Sequence, residues 1–177
     1  NMYGPKDNFD LMNSHVLPAM IRKFHLAKLF MNDSWVEIEN DQKRFGEIPA
    51  DILEYLNNGG GVVALWGSGS PYREFLYSDD LASAIVFLLQ NVDAKEISGE
   101  ATNDNNPCAV LNVGYGSDVT IKELAETVRD VVGYQGSIAW DASKPDGSPK
   151  KMMDSSKIHK LGWKPKTDLV SGIKKAY

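Results

Sequence analysis

Trp66-Gly-Ser-Gly-Ser-Pro-Tyr-Arg73-Glu-Phe-Leu-Tyr-Ser-Asp79-Asp80-Leu-Ala82 sets a glycine turn, a short apolar strand and a helix start side by side in one stretch. Gly67, Gly69 and Pro71 punctuate the turn, and Phe75, Leu76 and Tyr77 supply β-forming bulk after it. Ser78 or Asp79 is positioned to cap the helix that follows. Leu81, Ile85, Leu88 and Leu89 recur at three-and-four spacing, which predicts one stripe against a core. A cation, Arg73, therefore stands at the entrance to a buried strand. It can pair internally with Glu74 or Asp79, or face a cleft where its planar fork grips a phosphate. From these residues alone the internal pair is the simpler reading.

Outward from this stretch, helical and extended patterns alternate without a repeat, which predicts an α/β fold in a single unit spanning 1–177. Upstream, Ser14 is a suitable N-cap for a helix to about Phe30, with Val16, Leu17, Met20, Ile21, Phe24 and Ala27 at helical spacing. Pro18 is tolerated in its first turn, where an N–H has no intrahelical partner. Residues 31–60 read as a polar surface insertion holding one short helix near 51–57. Residues 62–65 read as a buried strand leading into the opening stretch. Downstream, strands are expected at 110–113 and 137–140. Thr120 and Glu123 form a capping box before a helix that Gly133 stops. Residues 141–151 carry too many turn formers to be an element. Asp154 can cap a brief helix ended by Gly162, and Asp168 opens the last helix.

With 177 residues, 42% hydrophobic and 24% charged, the chain can bury a real core. The net charge of -5 and pI near 5.2 argue against a nucleic-acid surface. No apolar run reaches the roughly 20 residues needed to cross a bilayer. The single cysteine, Cys108, cannot form an internal disulfide. These features suit a cytoplasmic protein. The chain opens on Asn1, enters a Tyr3-Gly4-Pro5 turn at once, and stops inside an amphipathic helix pattern, so it reads as part of a longer polypeptide.

No glycine group passes the test for a dinucleotide-binding turn, which needs three glycines at fixed spacing between a strand and a helix. Gly67-Ser-Gly69 and Gly114-Tyr-Gly116 each lack the third. No tyrosine is followed four positions later by lysine, so the usual short-chain reductase acid pair is missing too. His15, His25 and His159 are too scattered for a metal site. His15 lies in the first turn of its helix beside the 4–13 loop; it is either a satisfied helix-start residue or a general acid or base facing a cleft. Asp146, Lys150 and Lys151 share one loop. They form a solvated turn, or the lysines hold a diphosphate while the aspartate accepts hydrogen bonds from sugar hydroxyls. Trp66 is either core or a stacking platform.

Together, Asn1-Met-Tyr-Gly-Pro5, Asp7-Asn-Phe9, Ser14-His15-Val-Leu-Pro18, Trp66-Gly-Ser-Gly69, Arg73-Glu-Phe75, Asp79-Asp-Leu-Ala82, Asn112-Val-Gly114 and Asp141-Ala-Ser-Lys-Pro-Asp-Gly147 carry a resemblance over nearly the whole chain. The chain resembles the C-terminal, substrate-binding part of the GDP-L-fucose synthase family, within the extended short-chain dehydrogenases/reductases. The resemblance implies a mixed α/β cover for a nucleotide sugar, with the N-terminal Rossmann part that holds NADP absent. It implies the substrate GDP-4-keto-6-deoxy-D-mannose, epimerised at C3 and C5 and reduced at C4 by NADPH.

The resemblance makes His15 the catalytic acid that reprotonates the inverted carbons. It puts Asn1, Met2 and His15 near the nicotinamide, and Lys23, Trp66, Arg73, Asp146 and Lys151 around the GDP-sugar. On an ideal helix Arg22 lies nearer than Lys23 to the His15 azimuth, but the resemblance favours Lys23. Cys108 does not match the family's cysteine base, which lies in the absent half. The family implies a homodimer through helices of its Rossmann half, which leaves this chain a monomer by itself, unable to turn over substrate. The alternatives are another nucleotide-sugar epimerase or dehydratase of the same superfamily, or a non-catalytic nucleotide-sugar binding module.

Overall fold

The computed structural model describes residues 1–98 and 110–177; Cys108 lies outside them. In chain order the elements are β1 (Met2–Tyr3), α1 (Val16–Met31), α2 (Trp35–Phe45), α3 (Ala50–Leu56), β2 (Val62–Trp66), β3 (Tyr72–Arg73), β4 (Leu76–Tyr77), α4 (Ser78–Asn91), α5 (Ala94–Ser98), β5 (Val119–Thr120), α6 (Ile121–Val132), β6 (Ser137–Asp141), β7 (Lys150–Lys151), α7 (Ser156–Lys160) and α8 (Leu169–Ala176). The strands form three small sheets. β2 runs parallel to β6, with Val62 opposite Ser137 and Trp66 opposite Asp141. β1 runs parallel to β4. β3 lies between β5, antiparallel, and β7, parallel.

The main core lies where α1 and α6 pack together, with β2 and α8 against them. Phe24, Leu26 and Ala27 of α1, Leu124, Ala125 and Val128 of α6, and Ile173 of α8 are all fully buried there. Full burial of one such Leu or Ile side chain contributes about 1.5–3 kcal/mol, so this three-helix contact anchors the fold. A second cluster of Leu76, Ala84, Ile158 and Trp163 joins α4 to α7.

Helix termini follow local chemistry. Thr120 Oγ1 accepts from the Glu123 amide at 3.0 Å and the Glu123 carboxylate accepts from the Thr120 amide at 2.8 Å, so the capping box closes from both sides. Gly133 ends α6 in the left-handed region at φ 74°, which a side chain would resist. Asp168 caps α8 by accepting from the Ser171 amide at 2.9 Å. The Asp154 carboxylate accepts from the Ser156 amide at 2.9 Å, at the start of α7.

The structure differs from the sequence reading at six places. α4 begins at Ser78 itself with Tyr77 as N-cap, so neither Ser78 nor Asp79 caps it. α1 begins one residue later than expected, with His15 as N-cap and no side-chain cap bond from Ser14. Residues 31–60 hold two helices, and Ile38, Ile48 and Leu56 from them join the main core. The expected strand at 110–113 does not form; Leu111 and Val113 pack on the second cluster as extended chain. Lys150 and Lys151, expected within an irregular loop, form β7. On α4 the inward stripe is Leu81, Ala84, Phe87 and Leu88, because the β1–β4 pair and the 155–163 segment lie on that side. Ile85, Val86 and Leu89 face outward, Leu89 being 82% exposed.

Candidate functional site

The N-terminal half of α1 separates two clefts. The first, about 380 Å³, is lined by Asn1, Met2, Tyr3, Lys6, His15 and Ser78. The β1–β4 pairing sets its wall: the Leu76 amide donates to the Asn1 carbonyl at 2.8 Å, and Asn1 Nδ2 donates to the Glu74 carbonyl at 3.0 Å. His15 is exposed at the helix start, and its imidazole makes no hydrogen bond to the described residues. Its ring is therefore free to exchange a proton with something entering the cleft. Met2 presents an apolar, 59% exposed side chain to the same space.

The second cleft, about 440 Å³, lies against Ser14, Val16, Ala19 and Lys23 of α1 and reaches Trp66 and Ile121. It is continuous in its lining with a third, narrower cavity of about 200 Å³: Lys23, Asp51, Ile52 and Trp66 line both. Val16, Ala19, Met20 and Lys23 line it from α1, so the groove runs along the helix for about 10 Å at about 1.5 Å per residue. The Ser14 hydroxyl, denied its capping role, is buried in this wall with no hydrogen-bond partner among the described residues.

Lys23 and Arg22 are neighbours with opposite fates. Arg22 is 2% exposed, and its Nε donates to Asp41 Oδ1 at 2.8 Å. It also donates to the Phe9 and Phe45 carbonyls at 3.1 and 2.8 Å, and to the Gly46 carbonyl. This guanidinium knits α1 to α2 and has no donor left for a ligand. Lys23 points into the groove instead. Burial pushes its ammonium pKa down, and the Asp51 carboxylate pulls it partly back up. A half-desolvated ammonium of this kind gains by binding an anion.

Trp66 is 62% exposed at the end of β2, so it is not core. The Lys144 ammonium lies over its ring at 5.3 Å, which fixes the 141–149 loop against the indole. Asp146 is also held from the Trp66 turn. The Ser68 hydroxyl donates to Asp146 Oδ2 at 2.7 Å and the Ser68 amide donates to Oδ1 at 2.8 Å. Those two bonds, the hydroxyl first, hold the Asp146 carboxyl below the usual carboxylate range. Gly67, at φ +81°, leaves room for that carboxylate.

Arg73 forms no ion pair with any described carboxylate, which removes the internal pairing with Glu74 or Asp79. Its Nη1 donates to the Tyr72 and Ser148 carbonyls at 2.6 and 2.7 Å. Glu74 is 3% exposed and accepts the Gly116 amide at 2.7 Å and the Met153 amide at 3.3 Å. Arg73 stands opposite Lys151 across the β3–β7 ladder. The two lysines of β7 differ: Lys150 pairs with Asp118 at 3.0 Å, whereas Lys151 is exposed and unpaired among the described residues. A guanidinium and an ammonium side by side make a cationic edge that suits a diphosphate.

The predicted residues thus fall into three neighbouring groups. Asn1, Met2 and His15 share the first cleft, Lys23 and Trp66 share the groove, and Arg73 of β3, Lys151 of β7 and Asp146 of the 141–149 loop line none of the three cavities. Sequence reasoning missed Ser68, whose partner Asp146 is remote in the chain. It also missed Asp51, Glu54, Tyr55 and Lys144 as groove residues. Among the described residues, no group of three or more His, Cys, Asp or Glu is placed to hold a metal ion, and no helix is long and apolar enough to cross a membrane.

This α/β arrangement matches the C-terminal part of an extended short-chain dehydrogenase/reductase. The model of the NAD dependent epimerase/dehydratase family matches residues 1–114, and the chain belongs to that family. Over 177 residues it is 44% identical to GDP-L-fucose synthase 1 of Arabidopsis thaliana, all of this chain matching 42% of that protein. A solved GDP-6-OMe-4-keto-L-xylo-heptose reductase from C. jejuni is similar over 100% of this chain and 50% of its own, at 42% identity and a TM-score of 0.85. A GDP-D-glycero-L-gluco-heptose synthase from Campylobacter jejuni, solved in the presence of NADPH, is similar over the same shares at 40% identity and a TM-score of 0.83. The chain spans half or less of the length of these relatives.

Proposed function

We propose that this chain is the nucleotide-sugar-binding part of a GDP-L-fucose synthase. In the full-length protein, GDP-4-keto-6-deoxy-D-mannose is epimerised at C3 and C5 and reduced at C4 to GDP-L-fucose. The observation that carries the proposal is the placement of an unbonded His15 in a cleft next to a groove walled by Lys23 and Trp66. The C4 ketone acidifies the protons on C3 and C5, so each centre inverts by loss of a proton to a base and return of one from the opposite face. His15 is the acid that returns it, at its imidazole nitrogen. The partner base comes from outside these 177 residues.

Asn1, Met2 and His15 fit one edge of a nicotinamide: an apolar thioether, an amide and an imidazole around one cleft. NADPH, when bound, supplies the hydride for C4; this chain's part is to hold the sugar against it. Lys23, Arg73 and Lys151 neutralise the diphosphate, Trp66 offers an aromatic face, and Asp146 accepts from sugar hydroxyls. The full-length protein is proposed to be cytoplasmic and dimeric, and this chain alone to be monomeric and inactive, because half the cleft wall is missing.

A second reading is favoured by the two solved Campylobacter relatives: reduction at C4 of a GDP-4-keto-heptose. The test is to incubate the full-length protein and NADPH with each ketone and identify the products by NMR. Formation of GDP-L-fucose supports the first reading. Turnover of the heptose alone replaces it with the second, and turnover of neither removes both.

A further inference from the structure

The third cavity is the part of the groove that His15, Arg73 and Lys151 do not line. Its walls are Lys23, Trp66, Lys144 and α3, where Asp51 lies one helical turn before Glu54 and Tyr55. Its floor is apolar, with Leu56 and Val63 buried at 2% and 3% exposure. A flat heterocycle fits this combination, since Tyr55 and Trp66 are 43% and 62% exposed on its rim.

The polarity of the groove fixes which end of an elongated ligand lies here. His15, in the neighbouring cleft, marks the reacting end, and Lys23 follows about 12 Å further along the helix axis. Beyond Lys23 come the carboxylates of Asp51 and Glu54, which repel phosphate and need hydrogen-bond donors. Asp51 lines both cavities with Lys23, close enough for its charge to support the ammonium. Glu54 lines only the far cavity, and its carboxylate makes no hydrogen bond to the described residues.

We infer that Glu54 is a specificity-determining residue that reads the N1–H and N2–H₂ edge of guanine, with the base held between Tyr55 and Trp66. This rests on the GDP-sugar reading and adds the residue that selects the base. Guanine alone among the common bases presents two adjacent donors, which a carboxylate accepts through both oxygens. Adenine sets a donor beside an acceptor, and uracil flanks one donor with two carbonyls, so a carboxylate disfavours both. The base-reading helix α3 belongs to the 31–60 segment, which gives that segment a function beyond its contribution to the core.

The test is calorimetric titration of the full-length protein with GDP, IDP and UDP. IDP lacks only the N2 amino group. The parent protein should bind GDP about tenfold or more tightly than IDP, the worth of one hydrogen bond to a charged acceptor. Glu54→Gln should bring the GDP to IDP ratio close to one, and Tyr55→Ala should weaken both ligands while keeping the ratio. Both residues are exposed, so neither change endangers folding. A GDP to IDP ratio unchanged by Glu54→Gln, with GDP still bound, overturns this inference and leaves the GDP-sugar reading standing. Failure of the parent protein to bind GDP overturns both.

Discussion

Arg22 and Lys23 are adjacent on α1, and exchanging each for alanine should separate stability from ligand binding. The Arg22 side chain is 1% exposed and that of Asp41 5%, with Nη2 and Oδ1 2.8 Å apart. Arg22→Ala strands a buried carboxylate and the Phe9, Phe45 and Gly46 carbonyls. Removing one partner of a buried ion pair costs about 3–5 kcal/mol, and the stranded carbonyls place this variant at the upper end. Asp41→Ala leaves the guanidinium with its three carbonyl partners and should sit at the lower end. The double variant Arg22→Met with Asp41→Leu removes both charges together and should cost less than either single change. Lys23→Ala removes a groove ammonium that no described group pairs closely, so stability should change by less than about 1 kcal/mol. Its cost should fall on binding instead: losing a charge-assisted bond to phosphate, roughly 1.5–3 kcal/mol, weakens GDP about tenfold to more than a hundredfold. Urea denaturation followed by circular dichroism gives the first quantity, and GDP titration of the full-length protein the second. The reasoning is refuted if Arg22→Ala costs no more than the exposed Lys43–Glu39 pair would, about 0–1 kcal/mol. It is equally refuted if Arg22→Ala, still folded, loses GDP while Lys23→Ala keeps it.

His15→Gln in the full-length protein should abolish inversion at C3 and C5 while sparing reduction of an already inverted ketone; equal loss of both steps, measured by NMR, would remove His15 from the acid role. The Asp146 carboxyl titrates below its ordinary value because of its Ser68 bonds. A depressed folded value means that its contribution to stability is full above the unfolded pKa of about 3.9 and fades as the pH falls through the folded value. Carbon-detected NMR titration should show Ser68→Ala, which removes the hydroxyl bond and keeps the amide one, moving Asp146 part of the way toward the ordinary value; no change would mean that the hydroxyl bond is not a cause. Thr120→Ala opens the capping box of α6 and should cost about 1 kcal/mol in urea denaturation, with GDP affinity unchanged.

What was legible in the sequence was mostly local. The α6 capping box, the Gly133 stop and the Asp168 cap each depend on residues within a turn of one another, and each formed as expected. α2 was missed because its apolar residues form no inward stripe: Trp35 and Val36 are exposed, only Ile38 and Asp41 are buried, and Asp41 is neutralised by Arg22, which lies in another helix. On α4 the apolar residues occupy more than one face, so spacing alone could not tell Leu81 and Phe87, which pack inward, from Ile85 and Leu89, which do not. The site shows the same division. His15 and Lys23 were legible as chemistry on one helix, but the choice of Lys23 over Arg22 rested on resemblance and acquired a physical cause only with the Asp41 pair. The Ser68–Asp146 contact joins residues 78 apart and left no mark in either local pattern. The internal pair that the residues around Arg73 suggested does not form, because Glu74, its neighbour in sequence, spends its carboxylate on the Gly116 and Met153 amides.

The central claim is that His15 returns protons at two carbons flanking a ketone, and solvent isotope incorporation measures that most directly. The full-length protein is incubated with GDP-4-keto-6-deoxy-D-mannose and NADPH in D₂O, and the product is read by NMR. The account predicts GDP-L-fucose carrying deuterium at both C3 and C5, and no such label with His15→Gln. A product reduced at C4 with protium retained at C3 and C5 would contradict it.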